Sequence, residues 1–185
     1  MPWKWPESEL CRLWATLAGV GLVACHQAGR ELTDLALESI NLIGADLARA
    51  KLCKTRLRRA GLQGAILRKA DMRGVDLVGA SLFRANANWA DLRDADARWA
   101  DFEGASLIEV DFRNANLEGA SLREAQAARA DFAGASLRGA ILNGADLAEC
   151  DLTGADLRDA DVRGADLASA KLDGARLDGA RMPEA

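Results

Sequence analysis

The chain has 185 residues, half of them hydrophobic, and its formal net charge at pH 7 is only −4. That size and apolar content suit one folded domain with a core. Four cysteines without CxxC spacing and a single histidine, His26, argue against a zinc site or a disulfide framework, and they favour free thiols in a reducing compartment.

The N-terminal segment has helical periodicity. Apolar side chains recur at spacings of three and four positions from Leu10 to Cys25, which is the stripe of an amphipathic helix. Pro6 suits a first helical turn and Gly29 suits a C-terminal stop, so the pattern predicts a helix from Pro6 to Ala28. We interpret residues 1–34 as a capping segment that covers the open end of the structure formed by the remaining residues.

Two other interpretations of this segment stay open. The run Leu22-Val23-Ala24-Cys25 resembles a bacterial lipobox, so the protein could be lipid-anchored through Cys25, although Glu7 and Glu9 are atypical of a secretion signal. The apolar run that ends at Cys25 has 13 residues, fewer than the roughly 20 that span a membrane. Contact with a membrane, or docking into a partner, would therefore involve only residues 10–25.

A five-residue pattern occupies the chain from Leu35 to Met182. Its centres fall at every residue number ending in 2 or 7 from Leu37 onward, which gives 30 repeats. If the centre is called position i, Leu occupies i in 21 repeats, Ala occupies i−2 in 24, Asp occupies i−1 in 13 and Gly occupies i+2 in 13. A period of five fits neither a helix nor a flat strand. Such regular self-similarity indicates a solenoid.

Each position of the repeat has a physical reason. We expect i and i−2 to point inward, with Leu filling the axis and Ala leaving room near a corner. Gly at i+2 would be the third residue of a type II turn, which requires positive φ. Asp or Asn at i−1 would hydrogen-bond nearby backbone amides, as these residues do in turns.

The repeat A(D/N)LXX, read for example at Ala145–Glu149, resembles the pentapeptide-repeat family over about four fifths of the chain. The resemblance implies an all-β solenoid, a right-handed quadrilateral β-helix with four repeats in each coil. Thirty repeats would form about 7.5 coils, or a rod about 36 Å long at the spacing of paired strands. The expected organisation is a helical cap over residues 1–34 and a β-helix over residues 35–185.

With four repeats in a coil, every fourth repeat should stack on the same face. The repeats centred on residues 47, 67, 87, 107, 127, 147 and 167 have no glycine at i+2, and we call them the glycine-free face. Bulky outward residues on or beside it predict a partner-binding surface. The candidates are Trp89, Ile66, Ile108, Arg49 and Lys69, together with the outward aromatics Phe83 and Trp99.

Charge is distributed unevenly along the predicted rod. Residues 35–79 have a net charge of +5 and residues 80–185 have a net charge of −8. Aspartates stack at i−1 on the face that follows the glycine-free face, from Asp71 to Asp151. Stacked like charges repel unless backbone amides or neighbouring arginines, such as Arg73 and Arg93, bind them.

No nucleophile, base and acid converge in the pattern, so the sequence predicts no enzyme, no cofactor and no metal site. The favoured function is a scaffold that binds a protein partner through the glycine-free face. We expect no direct binding of nucleic acid and a cytoplasmic location. A monomer or weak oligomer is expected because the end from Ala175 to Ala185 is polar.

A second hypothesis is DNA mimicry. The chain is similar to quinolone-resistance pentapeptide proteins, and this similarity implies a rod that occupies the DNA site of gyrase. The sequence departs from them because basic residues interrupt its acidic part and no outward loop breaks the repeats. A third hypothesis is a lipid-anchored or membrane-associated envelope protein.

Overall fold

The computed structural model describes residues 28–183. Within that range there is no helix and no strand longer than a single bridging residue. Instead, 27 parallel β-bridges join each residue at position i−1 to its counterpart four repeats later, from Glu31 with Lys51 to Asp161 with Arg181. This pairing interval corresponds to four repeats per coil, so the described chain is a β-helix of stacked square coils.

Backbone hydrogen bonds run along the axis between coils. The Leu57 N–H donates to the Asp76 carbonyl of the next coil at 2.7 Å, and the Ala60 N–H closes the turn by donating to the Leu57 carbonyl at 3.0 Å. These two bonds recur in nearly every repeat. The coil thus satisfies its main chain without any continuous strand.

Every turn places its third residue in the left-handed region. The thirteen glycines at i+2 have φ between 61° and 73°, which confirms the positive φ predicted for them. Seventeen residues other than glycine hold the same position with φ between 53° and 62°. The prediction was too narrow, because closure of the square coil requires this conformation at each corner whichever residue stands there.

The side chain at i−1 satisfies the remaining backbone donor. The N–H at i+1 donates to no backbone carbonyl in the ladder, and Asp46 Oδ1 accepts this bond from Ala48 at 3.1 Å. The predicted role of Asp and Asn is confirmed, since sixteen repeats make the same bond.

The core consists of the residues at i and i−2, which are almost completely buried. Two polar replacements of the inward alanine bond the coil beneath them. Thr55 Oγ1 donates to the Leu32 carbonyl at 2.6 Å, and Cys150 Sγ donates to the Ala127 carbonyl at 2.9 Å. Each therefore has a partner for its polar atom inside an apolar column.

Core volume is balanced across coils. Among the twelve centres between residues 80 and 139, three are Ala and three are Phe. An alanine side chain has three carbons fewer than leucine, and a phenylalanine side chain has three more. These three coils therefore contain as much side-chain carbon as twelve leucines, which agrees with the close packing of protein interiors.

The described ends differ from the sequence-based expectation. Glu31 already pairs with Lys51 and Leu32 is buried, so the β-helix begins one repeat before the boundary at residue 35. The predicted helix Pro6–Ala28 and its capping role lie almost wholly outside the described residues. The right-handed sense and the total of about 7.5 coils stay predictions.

The C-terminal end is less polar than expected. Leu177 and Met182 are 36% and 39% exposed, and Leu167 and Leu172 are only partly buried. Nothing among residues 28–183 stacks on these four centres from the C-terminal side. The expectation of a polar end was wrong, because it counted outward residues and omitted the centres of the last coil.

Candidate functional site

The side chains at position i+2 of the glycine-free face form one edge of the rod, which we call the Trp89 corner. In chain order they are Arg49, Lys69, Trp89, Glu109, Arg129, Glu149 and Ser169. Every one has positive φ although none is glycine. A side chain in this conformation costs about 1–2 kcal/mol relative to glycine, so this corner keeps its side chains at an energetic cost.

Trp89 is exposed and lies against two cations of the preceding coil. Its side chain is 40% exposed, Arg68 Cζ lies 5.0 Å from the ring centroid, and Lys69 Nζ lies 5.6 Å from it. Such cation–π contacts hold the ring in place without covering it. The sequence analysis identified Trp89 and Lys69 but missed Arg68. Arg68 stands at i+1, 20 residues before Asn88, the neighbour of Trp89, and this spacing was the signal that places it one coil below the ring.

Ile66 and Ile108 differ in accessibility. Ile66 is 40% exposed, whereas Ile108 is half-buried. The Ile108 N–H donates to Asn88 Oδ1 of the preceding coil at 2.8 Å, and Ser106 Oγ donates to the same oxygen at 2.8 Å. Ser106 stands where sixteen repeats have Asp or Asn, and Asn88 supplies the acceptor for the Ile108 N–H instead.

A second apolar group lies at the corner that leads into the same face. Phe83 is half-buried with Arg84 Cζ 4.9 Å from its ring centroid. Ile43, which the sequence analysis did not select, is 42% exposed in the same column two coils earlier. Ile43 and Phe83 border one side of the glycine-free face, the Trp89 corner borders the other, and Ile66 lies on the face between them.

Trp99 does not belong to this surface. It follows Trp89 by two repeats, which is half of a four-repeat coil, so it occupies the diagonally opposite corner. It is 60% exposed, and Arg98 Cζ lies 5.5 Å from its ring centroid. Grouping the two tryptophans in one site was therefore wrong, because proximity in sequence within a coil does not place residues on the same face.

Corner side chains pack along the rod on the corner of the next coil. A Cβ built on Gly119 would lie 2.7 Å from Trp99 Cδ1, and one built on Gly104 would lie 3.3 Å from Arg84 Cγ. Glycine thus leaves room for the preceding side chain as well as accepting positive φ. At the Trp89 corner, side chains stack on one another instead, and Arg129 pairs with Glu109 at 3.2 Å.

The aspartates of the next face are neutralised by arginines. Arg73 makes two hydrogen bonds of 2.7 Å to Asp71 in its own repeat, and its Nε lies 3.7 Å from Asp91 of the next coil. The same arrangement continues through Arg93 and Arg113. The hydrogen bonds from Arg73 hold the pKa of Asp71 far below its usual range. This face is therefore a ladder of alternating charges.

Uncompensated positive charge remains near the Trp89 corner. Arg49, Arg68 and Lys69 are exposed, and none of them forms an ion pair with a carboxylate within the described residues 28–183. Lys54 and Arg59, at the next two corners of the same coil, also lack such a partner there. The basic part of the rod predicted from the sequence is thus concentrated around one coil.

Other kinds of site find no support in the described range. Between residues 28 and 183, His, Cys, Asp and Glu form no group suited to a metal ion. No helix in the same range could span a membrane. Cys53 and Cys150 are free thiols, and burial raises the pKa of Cys150 to about 12, which makes it a poor nucleophile at neutral pH.

Comparison with known proteins identifies the family. The model for pentapeptide repeats matches in eight copies, over residues 40–79, 62–96, 71–107, 105–144, 130–168 and 145–182. No curated protein sequence matches the chain.

Solved structures share the architecture. HetL, a pentapeptide repeat protein involved in heterocyst differentiation regulation from the cyanobacterium Nostoc sp. strain PCC 7120, is 29% identical, with 96% of this chain and 97% of HetL covered and a TM-score of 0.65. A trypsin-treated variant of QnrB1, a plasmid-mediated fluoroquinolone resistance protein, is 21% identical, with 86% and 90% covered and a TM-score of 0.52, which shows the fold alone. By its repeats and their matches over most of its length, the chain belongs to the pentapeptide-repeat family.

Proposed function

We propose that the protein is a non-enzymatic scaffold that binds a protein partner through the glycine-free face of its rod. The supporting observation is the exposed Trp89, whose ring is contacted by two cations. It stands at a corner where every i+2 residue has positive φ. A large, fixed aromatic side chain loses little entropy on binding, and tryptophan is enriched at the energetic centres of interfaces.

The similarity to HetL also supports a regulatory role. That protein is described as involved in regulation of differentiation, and the likeness extends over nearly the whole of both chains. We propose that Ile66 on the face and Phe83 at its border extend the apolar contact. The half-buried Ile108 completes this contact on the same face.

The test is capture of a partner from a lysate of the source organism with the immobilised full chain. Trp89→Ala combined with Ile66→Ser should abolish retention of the partner. Trp99→Ala is the matched control, because it removes a more exposed tryptophan from the opposite corner. Loss of the partner with Trp99→Ala, or its retention by the Trp89 double variant, would contradict the proposal. Circular dichroism checks that each variant is folded.

The second candidate is mimicry of DNA at gyrase, and the observation that favours it is the acidic part of the rod. Residues 80–185 have a net charge of −8. They form about five coils, or about 25 Å of rod at a strand spacing of about 4.8 Å, and a duplex of that length carries about 15 negative charges. The charge density is thus about half that of DNA, and arginines neutralise part of it.

A gyrase supercoiling assay separates the two candidates. The scaffold proposal predicts that the protein neither inhibits supercoiling nor protects gyrase from a quinolone. In the capture experiment, replacing Asp91, Asp111 and Asp131 by Asn removes charge but retains the acceptor for the i+1 amide. These variants should retain the partner if the glycine-free face is used, and they should lose it if the acidic face is used.

We propose a cytoplasmic location, which the free thiols Cys53 and Cys150 support. The alternative is a lipid anchor at Cys25, which lies outside the described residues. Membrane fractionation of cells that express the wild type or Cys25→Ala distinguishes the two. Recovery of the wild type in the membrane fraction, and of the variant in the soluble fraction, would favour the anchor.

A further inference from the structure

We infer that the segment docking on the glycine-free face is an acidic polypeptide segment with an apolar side chain that packs beside Trp89. This inference rests on the proposed function, since it names the chemistry of the partner at the same site. One edge of the rod combines exposed apolar groups with cations that form no ion pair among residues 28–183, and this combination carries the inference.

The cations are stacked on one another. Arg49 and Lys69 occupy the same column one coil apart, at the strand spacing of about 4.8 Å, and Arg68 precedes Lys69 in the chain. Like charges directly opposite each other across paired strands are destabilising. Carboxylates from a partner would relieve this repulsion.

Several other columns of the rod alternate cations with carboxylates. Lys51 pairs with Glu31 at 3.0 Å and Arg56 pairs with Glu38 at 2.6 Å, in addition to the Asp71–Arg73–Asp91 ladder. At the glycine-free face the i−1 positions from Ile66 to Gln126 are uncharged. The face therefore offers Arg68 and Lys69 no carboxylate at i−1 in their own repeat or in the next coil. By contrast, Asp46 holds that position in the repeat of Arg49.

The apolar groups favour a polypeptide over other anions. Trp89 and Ile66 are each 40% exposed, and they lie on the two sides of Arg68 on the face. A phosphate backbone would use the cations and leave these side chains in contact with water. Arg68 and Lys69 already lie over the Trp89 ring, where a nucleic-acid base would have to stack. Acidic residues next to apolar ones complement the whole surface.

The test uses short random peptides displayed on phage and selected on the immobilised full chain. Selected peptides should be rich in Asp and Glu and should contain a large apolar residue. Binding of a synthetic selected peptide, measured by fluorescence anisotropy, should weaken as NaCl rises from about 50 mM to about 300 mM. Arg68→Glu with Lys69→Glu should weaken it by about tenfold or more.

Matched charge reversals control for long-range electrostatics. Lys54→Glu with Arg59→Glu makes the same change of charge at the next two corners and should weaken peptide binding by about threefold or less. Equal losses in the two double variants would overturn the assignment to the Trp89 corner. Trp99→Ala should leave binding unchanged.

The outcomes separate this inference from the proposed function. Selection of neutral or basic peptides whose binding requires Trp89 would contradict the inference that the partner segment is acidic. It would still agree with docking on the glycine-free face. Failure to select any peptide whose binding requires Trp89 would overturn both. Two other probes are tested separately: vesicles that contain phosphatidylserine, and a single-stranded oligonucleotide. Tighter binding of either probe, lost with the Arg68 and Lys69 reversals, would replace the peptide by a lipid or nucleic acid.

Discussion

The ring of Phe112 lies parallel to the ring of Phe132 in the next coil, with their centroids 5.0 Å apart and their planes inclined by 6°. Phe102 approaches Phe112 edge-on, at a centroid distance of 5.9 Å and an angle of 87°. All three rings are fully buried. The aromatic column thus connects two successive coils inside the core.

Phe132→Ala should reduce the free energy of unfolding by about 3–5 kcal/mol, because it leaves a cavity and removes the stacking partner of Phe112. Phe132→Leu removes only three carbons and should cost clearly less. Chemical denaturation followed by circular dichroism measures both variants. A loss below about 1 kcal/mol for the alanine variant would show that the coils collapse around the missing ring.

Gly119→Ala and Gly154→Ala form a matched pair for the packing at corners. Both glycines have positive φ, 65° and 66°, but only a Cβ on Gly119 would meet another side chain, Trp99. We expect Gly154→Ala to cost about 1 kcal/mol from backbone conformation alone. Gly119→Ala should cost more and should change the fluorescence of Trp99.

A double-mutant cycle separates the two contributions. In a Trp99→Ala background, Gly119→Ala should cost no more than Gly154→Ala does, since the clashing ring is gone. If the cost of Gly119→Ala is unchanged in that background, the room that glycine leaves for Trp99 has no energetic role.

Glu149→Gly should stabilise the protein. Glu149 has φ of 59° and is exposed at the Trp89 corner, so glycine would remove the strain of the left-handed conformation and gain about 1 kcal/mol. Glu149→Ala removes the same charge but retains the strain, and its stability should stay near that of the wild type. Equal thermal stability of the glycine and alanine variants would contradict this explanation.

The Asp156–Arg158 pair should contribute stability that depends on acid pH. Two hydrogen bonds from Arg158 lower the pKa of Asp156 to about 2, below its ordinary value of 3.8. A lowered pKa in the folded state stabilises the fold above the unfolded value, and this stability is lost as the pH falls through the folded value. Acid unfolding should therefore be concentrated between about pH 4 and pH 2.

Arg158→Gln tests this pair. The variant should be less stable than the wild type at pH 6, and the difference should disappear as the pH falls to about 2. Arg138→Gln is a control, because Arg138 only approaches Asp159, at 3.5 Å, and both side chains are exposed. A difference for Arg158→Gln that is equally large at pH 6 and pH 2 would show that the charge of Asp156 is not its cause.

Much of the fold could be predicted because it depends on local chemistry repeated many times. The five-residue period places Leu57 and Ala60 in the core, and the turn at Gly44 requires positive φ. An aspartate such as Asp46 accepts the one N–H that the backbone ladder leaves without a carbonyl. Each of these assignments needs only the residues of a single repeat.

The candidate site was harder to predict because it depends on contacts between coils. Arg68 acquires its role from Trp89, which belongs to the next coil, and Gly119 acquires its second role from Trp99. Trp99 was placed with Trp89 because they are close in sequence, although two repeats correspond to half a coil. Residues separated by 20 positions, which is one coil, are neighbours on the surface, and such pairs in the sequence indicate which side chains meet there.

The bridges join residues 20 positions apart, so the molecule has two periods: five residues for its core and 20 residues for its surface. Loss of one repeat would keep the Leu and Ala pattern in phase, so the shortened chain could still fill its axis. All later surface residues, however, would turn by a quarter of the circumference relative to the earlier ones. Lys69 and Trp89 would then be separated by any such loss between them. Only gains and losses of four repeats at a time let the rod change its length and keep its surface.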